Sequence, residues 1–260
     1  MKLINKFIKS KEDLILGLFG LSLFLILWAE AAQLKWIAPI FISSPGEVTK
    51  EVIIMFQNRT IFPHLAISLT EFLLGFSAAA FLGIIFGILI GWYKKLRGLT
   101  SLLIFALYST PTIAILPLIV IWLGFDIWTK VLIVFLSAFF PILINTMSGV
   151  ENLNSDLIRL GRSFGANDLA IFRTIALPGS LPFIVTGLRL AVTRGMIGML
   201  IGEFYVSNKG LGYLITSYGS SFQTSKFLAV VLLVVLIGIT LTQTIGLLEN
   251  KLKSWKISRD

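Results

Sequence analysis

The side chains that carry hydrolytic or metal chemistry are nearly missing from this chain. It has no cysteine and one histidine, His64, which removes disulfides, thiolate metal sites and cysteine nucleophiles. His64, placed in a loop, reads as a surface or capping residue, because a metal needs several convergent ligands. The best serine context, Thr146-Met147-Ser148-Gly149, lacks the glycine expected two positions before a nucleophile. Gly124-Phe125-Asp126 alone is too little for an aspartyl protease. No G-x-x-x-x-G-K-S/T run occurs, so the chain has no Walker A loop of its own to cradle ATP phosphates. What remains is charge in costly places. Arg189, Arg194 and Glu203 interrupt an otherwise apolar stretch, and such residues face a protein interior or a water-filled cavity. Arg194 is the candidate to attract an anion; the alternative is a structural pair with a carboxylate or carbonyls. Arg189 reads as snorkelling to the surface or holding the adjacent loop. Glu203 lies nearly four helical turns further on, so it shares a face with Arg189 and is a candidate for a gate or dimer contact. None completes an acid–base pair, so neither a catalytic residue nor a metal ligand is assigned.

The elements that position these charges are membrane helices. Of the 260 residues, 56% are hydrophobic and 13% charged, with mean hydropathy +0.92. Soluble domains carry about 25% charged residues. A helix crossing the bilayer needs about 20 mostly apolar residues. Stretches free of Lys, Arg, Asp and Glu give Phe72–Tyr93, Gly98–Phe125, Val131–Val150 and Phe227–Leu248. Leu14 to about Ala32, and Phe183–Tyr205 with its three charges, complete six spans. The first resembles a cleavable signal ending at Ala29-Glu30-Ala31, but five further spans favour an uncleaved helix. The expected fold class is an all-α integral membrane protein of six helices. Residues 1–13 form its N-terminus, 14–250 the membrane domain and 251–260 its C-terminus.

Loop charge sets the orientation. With both termini cytoplasmic, fourteen basic residues lie inside, including Lys2, Lys6, Lys9, Lys11, Lys251, Lys253, Lys256 and Arg259. Six lie outside: Lys35, Lys50, Arg59, Lys130, Lys209 and Lys226. Trp28, Trp36, Trp122 and Trp128 then mark the outer interface, and Trp92 with Tyr93 the inner one. The net charge of +9 sits in short clusters between apolar runs, which suits anionic lipid and gives no basic arm for nucleic acid.

Within the outer segment, Ser43-Ser44-Pro45-Gly46 signals a turn before a short amphipathic helix over Glu47–Gln57. Ala79, Gly83, Gly87 and Gly91 recur every four residues and predict close helix packing. Pro111 and Pro117 predict a kink or irregular segment beside a pore. There Ser109, Thr110 and Thr112 either offer hydroxyls to a polar solute or bond to neighbouring helices. The inner loop 151–181 predicts two short helices hinged at Gly165. Asn154 and Ser155 are its N-cap candidates, Leu169, Ile171, Phe172, Ile175 and Leu177 make an apolar face, and Pro178 and Pro182 close it. An apolar face at the water side implies a partner; the alternative is an amphipathic helix lying on the membrane.

Arg162-Ser163-Phe164-Gly165-Ala166 is followed, nine residues after the glycine, by Ile175-Ala176-Leu177-Pro178. This resembles the loop of ABC-importer permeases that reads Glu-Ala-Ala, three residues, Gly, nine residues, Ile-x-Leu-Pro. Arg159-Leu160-Gly161 stands where Glu-Ala-Ala is expected. Three further stretches are similar to the subgroup for sulfonate, taurine and nitrate uptake, with relatives for bicarbonate and thiamine pyrimidine precursors. These are Phe139–Thr146 with its Asn145, Leu181–Arg189, and Gly210-Leu211-Gly212-Tyr213-Leu214-Ile215. Glu203 matches that group's fifth-helix glutamate, whereas Arg194 and Glu71 depart from its pattern.

The resemblance implies a type I ABC-importer permease, a non-enzymatic subunit in the bacterial inner membrane that works by alternating access. Its implied partners are a second copy of itself, a dimer of ATP-binding-cassette ATPases that use ATP and Mg, and an extracytoplasmic solute-binding protein. Coupling to the ATPase falls to Arg162, Gly165, Ala166, Asp168, Phe172, Ile175, Leu177 and Pro178. The candidate pathway or gate residues are Arg189, Arg194, Glu203, Asn145 and Thr110. Gly210-Leu211-Gly212 would lie in an outer re-entrant segment facing the binding protein. A basic residue in span five favours a small anion as solute, with a pyrimidine precursor as the alternative. A self-sufficient channel or secondary carrier would also explain six helices, but not the loop, and the halves show no internal repeat.

Overall fold

The computed structural model describes residues 2–36, 38 and 40–252, with side chains for 12–36, 38 and 40–247. Lys253, Lys256 and Arg259 of the charge count lie outside the described residues, as do the side chains of Lys2, Lys6, Lys9, Lys11 and Lys251. Every regular element described is helical: α1 (Lys2–Gln33), α2 (Pro45–Gln57), α3 (Ile61–Trp92), α4 (Lys94–Ser109), α5 (Thr112–Leu123), α6 (Ile127–Glu151), α7 (Ser155–Ser163), α8 (Asp168–Ile171), a π turn (Phe172–Ala176), α9 (Leu177–Val206), α10 (Leu211–Ser220) and α11 (Thr224–Leu252). Five helical stretches are long and apolar enough to cross a membrane, and α4 with α5 makes a sixth if that bent pair is one span.

The chain divides into two compact units, Met1–Ile61 with Leu214–Leu233, and Phe62–Tyr213 with Val234–Asp260. In the first, Ser44 caps α2 by accepting from the Glu47 amide, and Pro45 occupies the first turn, where its missing N–H is no loss. The Trp28 indole donates to the Ser43 carbonyl at 2.7 Å, which ties the end of α1 to the start of α2.

The second unit is built on α3, α6 and α9. The expected small-residue stripe packs on α6, as a Cβ added to each glycine makes clear. At Gly83 it would meet Ile142, at Gly87 Thr146 and the Leu143 carbonyl, and at Gly91 Val150 and the Met147 carbonyl, all at 2.6–3.1 Å. Ala79 is fully buried in the same seam with Ala138, Ile142 and Ala191. Backbones this close leave no room for larger side chains, and dispersion between them replaces the hydrophobic drive that lipid does not supply.

Three boundaries differ from those read in the sequence. The second span begins at Ile61, well before Phe72, so His64 sits in the first turns of a helix and not in a loop. The sequence scan stopped at Glu71, which the structure buries completely. The third span is two helices that meet at 93°. Thr110 leaves the helical region with ψ 120°, as the residue before a proline is driven to do. Pro117, by contrast, lies inside α5. Lastly, Pro178 and Pro182 do not close the loop but lie within α9. Pro178 follows the π turn, where the Leu177 amide bonds back to the Phe172 carbonyl, so the helix runs on without a proline N–H. Asp168–Val206 is therefore one helical stretch of 39 residues, roughly 58 Å long at 1.5 Å per residue.

Candidate functional site

Three places in the second unit gather the residues that can act. The first is the loop before α9. Asn154 caps α7 through the Asp156 amide, and Asn167 caps α8 through the Ala170 amide. Between them Gly165 takes φ +78°, the left-handed conformation that ends a helix most readily at glycine. An Arg162–Asp168 ion pair of 3.2 Å spans this hinge. Ile171 and Ala176 are fully buried, and Phe172 packs edge-on against Trp92 at 6.4 Å. Ile175, Leu177 and Pro178 are half-buried. The apolar face expected to look outward thus turns largely inward. The exposed apolar side chains of the loop are instead Leu157, Leu160, Phe164 and Leu169, with Phe164 82% exposed. Ala166 lies half-buried beside them.

The second place is a cleft of about 230 Å³ lined by Tyr108, Pro141, Ile144, Asn145, Leu190, Thr193 and Arg194. Arg194 brings a positive charge to it, and Tyr108 and Thr193 bring hydroxyls. The Asn145 amide donates to the Pro141 carbonyl at 2.8 Å, leaving its oxygen as an acceptor. Thr110 is not part of this lining, and its hydroxyl bonds to the Ala106 carbonyl within α4. Arg189 lies against α11, where a Cβ on Gly246 would come within 3.1 Å of its guanidinium. Tyr108 and Thr193 escaped the sequence reading because neither charge nor a motif marks them.

The third place is a buried charge cluster. Glu71 and Glu203 are fully buried, and Lys130 is 7% exposed. Loop charge places Lys130 outside the membrane domain, whereas the structure sets it inside α6, paired with Glu71. The Asp126 side chain caps α6 at Ile127, which draws Lys130 into the helix. A capping aspartate just before an apolar run was the sequence signal for this start. Glu203 accepts from the Ser68 hydroxyl at 2.5 Å and from the Gly212 amide at 2.6 Å. Arg189 and Glu203 therefore differ in surroundings despite their helical spacing: Arg189 is exposed and Glu203 enclosed.

Comparison with known proteins agrees with this architecture. Residues 79–254 match the family of binding-protein-dependent transport system inner membrane components. The taurine transport system permease protein TauC of Escherichia coli K12 is 31% identical over 92% of this chain and 89% of its own length. The formylaminopyrimidine transport permease protein ThiX of Halalkalibacterium halodurans is 31% identical over 95% of this chain and 98% of its own. A putative aliphatic sulfonates transport permease protein of Bacillus subtilis is 29% identical over 93% and 88%. Among solved structures, a chain of the MetNI methionine ABC transporter in an inward-facing conformation superposes with TM-score 0.61 at 19% identity. The match covers 74% of this chain and 94% of that one, and it shows the shared fold.

Proposed function

The chain belongs to the binding-protein-dependent transport system inner membrane components, and from that premise we propose that it forms the pathway for a small organic or inorganic anion. It is a multi-pass permease subunit of an ABC importer. The single observation that carries the finer reading is Arg194 in the 230 Å³ cleft with Tyr108, Asn145 and Thr193. One guanidinium with hydroxyl and amide neighbours suits a solute of one negative charge, such as a sulfonate, taurine, nitrate or bicarbonate. The taurine and sulfonate relatives favour the same class. A pyrimidine precursor of thiamine is the second reading, favoured by the formylaminopyrimidine relative and by the cleft's aromatic wall at Tyr108.

ATP is hydrolysed in a separate ATPase dimer that uses Mg. It docks on the loop 151–181 of each of two copies of this chain, with both termini on the ATPase side. Leu157, Leu160, Phe164 and Leu169 supply the apolar contact. Gly165 sets the shape of the hinge beside Ala166, the exposed Arg162–Asp168 pair spans it, and Phe172, Ile175, Leu177 and Pro178 anchor it to α9. A solute-binding protein delivers the solute on the opposite side. ATP-driven closure then displaces the loops and alternates the access of the cleft.

The test is purification of the tagged chain in mild detergent with identification of stoichiometric partners, then uptake by the reconstituted complex. An ATP-binding-cassette subunit and ATP-dependent uptake of labelled taurine or a sulfonate are expected. Arg194→Gln should lower that uptake about tenfold or more, as loss of a charged contact does. Uptake of a formylaminopyrimidine alone would establish the second reading. Solute movement by the isolated chain without ATP would overturn both in favour of a channel or carrier.

A further inference from the structure

Three successive amides, where the segment joining α9 to α10 runs into α10, tie it to the rest of the unit. The Gly210, Leu211 and Gly212 amides donate in turn to His64 Nδ1 at 3.0 Å, Ser68 Oγ at 2.8 Å and Glu203 Oε2 at 2.6 Å. The Lys130 ammonium donates to Ser207 Oγ at 3.2 Å, at the start of the same segment. The last of these amides, Gly212, and the Ser68 hydroxyl both donate to the buried Glu203 carboxylate, so Ser68 links the Leu211 amide to Glu203 as well. The two glycines follow from that arrangement. A Cβ on Gly210, which has φ +115°, would overlap the Glu203 carboxylate, and one on Gly212 would come within 2.8 Å of Glu203 Cβ.

Glu203 sits near the end of the 39-residue helical stretch that begins at Asp168 in the exposed loop. The two ends of this rod differ in what they touch. At one end Asp168 pairs with Arg162 across a glycine hinge in the open. At the other Glu203 is clamped, without exposure, to α3 through Ser68 and to the 207–212 segment through Gly212. A rod with a hinged input and a hydrogen-bonded, charge-assisted output passes axial or rotational displacement to whatever its output grips.

We propose that Glu203 is the positioning residue that carries displacement of the 151–181 loop into the 207–213 segment, so that this segment moves with the ATPase cycle. The inference rests on the coupling role of the loop proposed above. Lys130 supports it from α6: its ammonium pairs with Glu71 and donates to Ser207 of the same segment, while the Ser68 hydroxyl and the Gly212 amide compensate Glu203. Removing the segment from Glu203 would leave a buried carboxylate short of donors, which is costly. Segment and helix therefore move together.

The chain contains no cysteine, so a single Asn208→Cys gives one thiol in an exposed part of the segment. The experiment uses the full complex in proteoliposomes. It compares labelling of that thiol by a membrane-impermeant maleimide in the nucleotide-free and ATP–vanadate-trapped states. With Glu203 intact, the labelling rate should differ between states by about fivefold or more, the range of an ordinary coupling free energy. Glu203→Ala should bring the two rates within about twofold of each other while ATP hydrolysis by the complex continues. If Glu203→Ala fails to assemble, Glu203→Gln, which keeps the volume and loses the charge, must at least halve the state dependence. Persistence of the full difference in the variant that assembles overturns the inference, as does an unchanging rate in the intact, hydrolysing complex. A complex that neither contains an ATPase nor hydrolyses ATP would overturn the coupling reading itself, which is a distinct result.

Discussion

The Arg162–Asp168 pair and the Lys130–Glu71 pair are both ion pairs of the second unit, and they teach opposite lessons. The first has side chains 62% and 74% exposed; the second, 9% and 0%. In water, a pair of long side chains gains little over hydration, and the usual worth is about 0–1 kcal/mol. In a membrane interior the pair barely offsets its desolvation, yet the loss of one partner strands a charge. The exposed pair can thus be broken and remade cheaply. The buried pair keeps a fixed arrangement.

The largest expected effect comes from breaking the buried pair on one side only. Lys130→Met leaves Glu71 without its ammonium, and the second Glu71 oxygen already has no hydrogen-bond partner among the described residues. Destabilisation of about 3–5 kcal/mol is expected, seen as loss of the monodisperse complex in mild detergent and as proteolysis in cells. Adding Glu71→Gln should recover most of the loss, because it removes the charge that Lys130 balanced. If the double variant is as unstable as the single, Lys130 acts through its packing or through Ser207 and not through charge. Independence of the two sites then requires that Glu71→Gln alone leave stability unchanged.

How much of this was legible in the sequence also divides between the two regions. The loop announced itself: Gly165 and the Ile-x-Leu-Pro run hold fixed spacing, and Asn154 caps the helix expected of it. The small-residue stripe from Ala79 to Gly91 also packs as its four-residue period predicts. The charge cluster was hidden by the rule used to find spans. Treating Glu71 and Lys130 as boundaries shortened two helices and placed Lys130 outside, whereas each charge is tolerated because the other stands opposite it on a neighbouring helix. Nothing local in the sequence pairs residues on α3 and α6. Likewise, the inward turn of Phe172 depends on Trp92 at the far end of α3, and a helical period cannot tell which face of a loop helix has such a neighbour. The break at Thr110 was legible from Pro111, but its size, 93°, was not.

A smaller effect on stability, though a complete one on transport, is expected at the exposed end. Ala166→Asp puts a carboxylate beside Phe164, in the surface proposed to meet the ATPase. Membrane insertion and the thermal midpoint of the purified chain should be unchanged, since only a half-buried surface side chain is altered. ATP-dependent uptake should fall to background, because a desolvated unpaired charge at an interface costs several kcal/mol. Normal transport with this variant would remove the loop from the docking role and leave it as an amphipathic segment on the lipid surface.

The smallest effect belongs to Arg162→Ala, and its smallness is the point. If the hinge is set by the left-handed Gly165 and by the Asn167 cap, the Arg162–Asp168 bond adds only a screened surface interaction, about 0–1 kcal/mol. The variant should keep its fold and its thermal midpoint within a few degrees. What should change is salt sensitivity. Wild-type association with the ATPase, followed by co-purification across a salt series, should weaken as ions screen exposed charges, and the variant should respond less steeply. An equal salt response in both proteins would mean that Arg162 is occupied with Asp168 in the assembled state as well, so the exposed pair would be as fixed as the buried one. The contrast between the two ion pairs would then lie in burial alone and not in freedom to exchange partners.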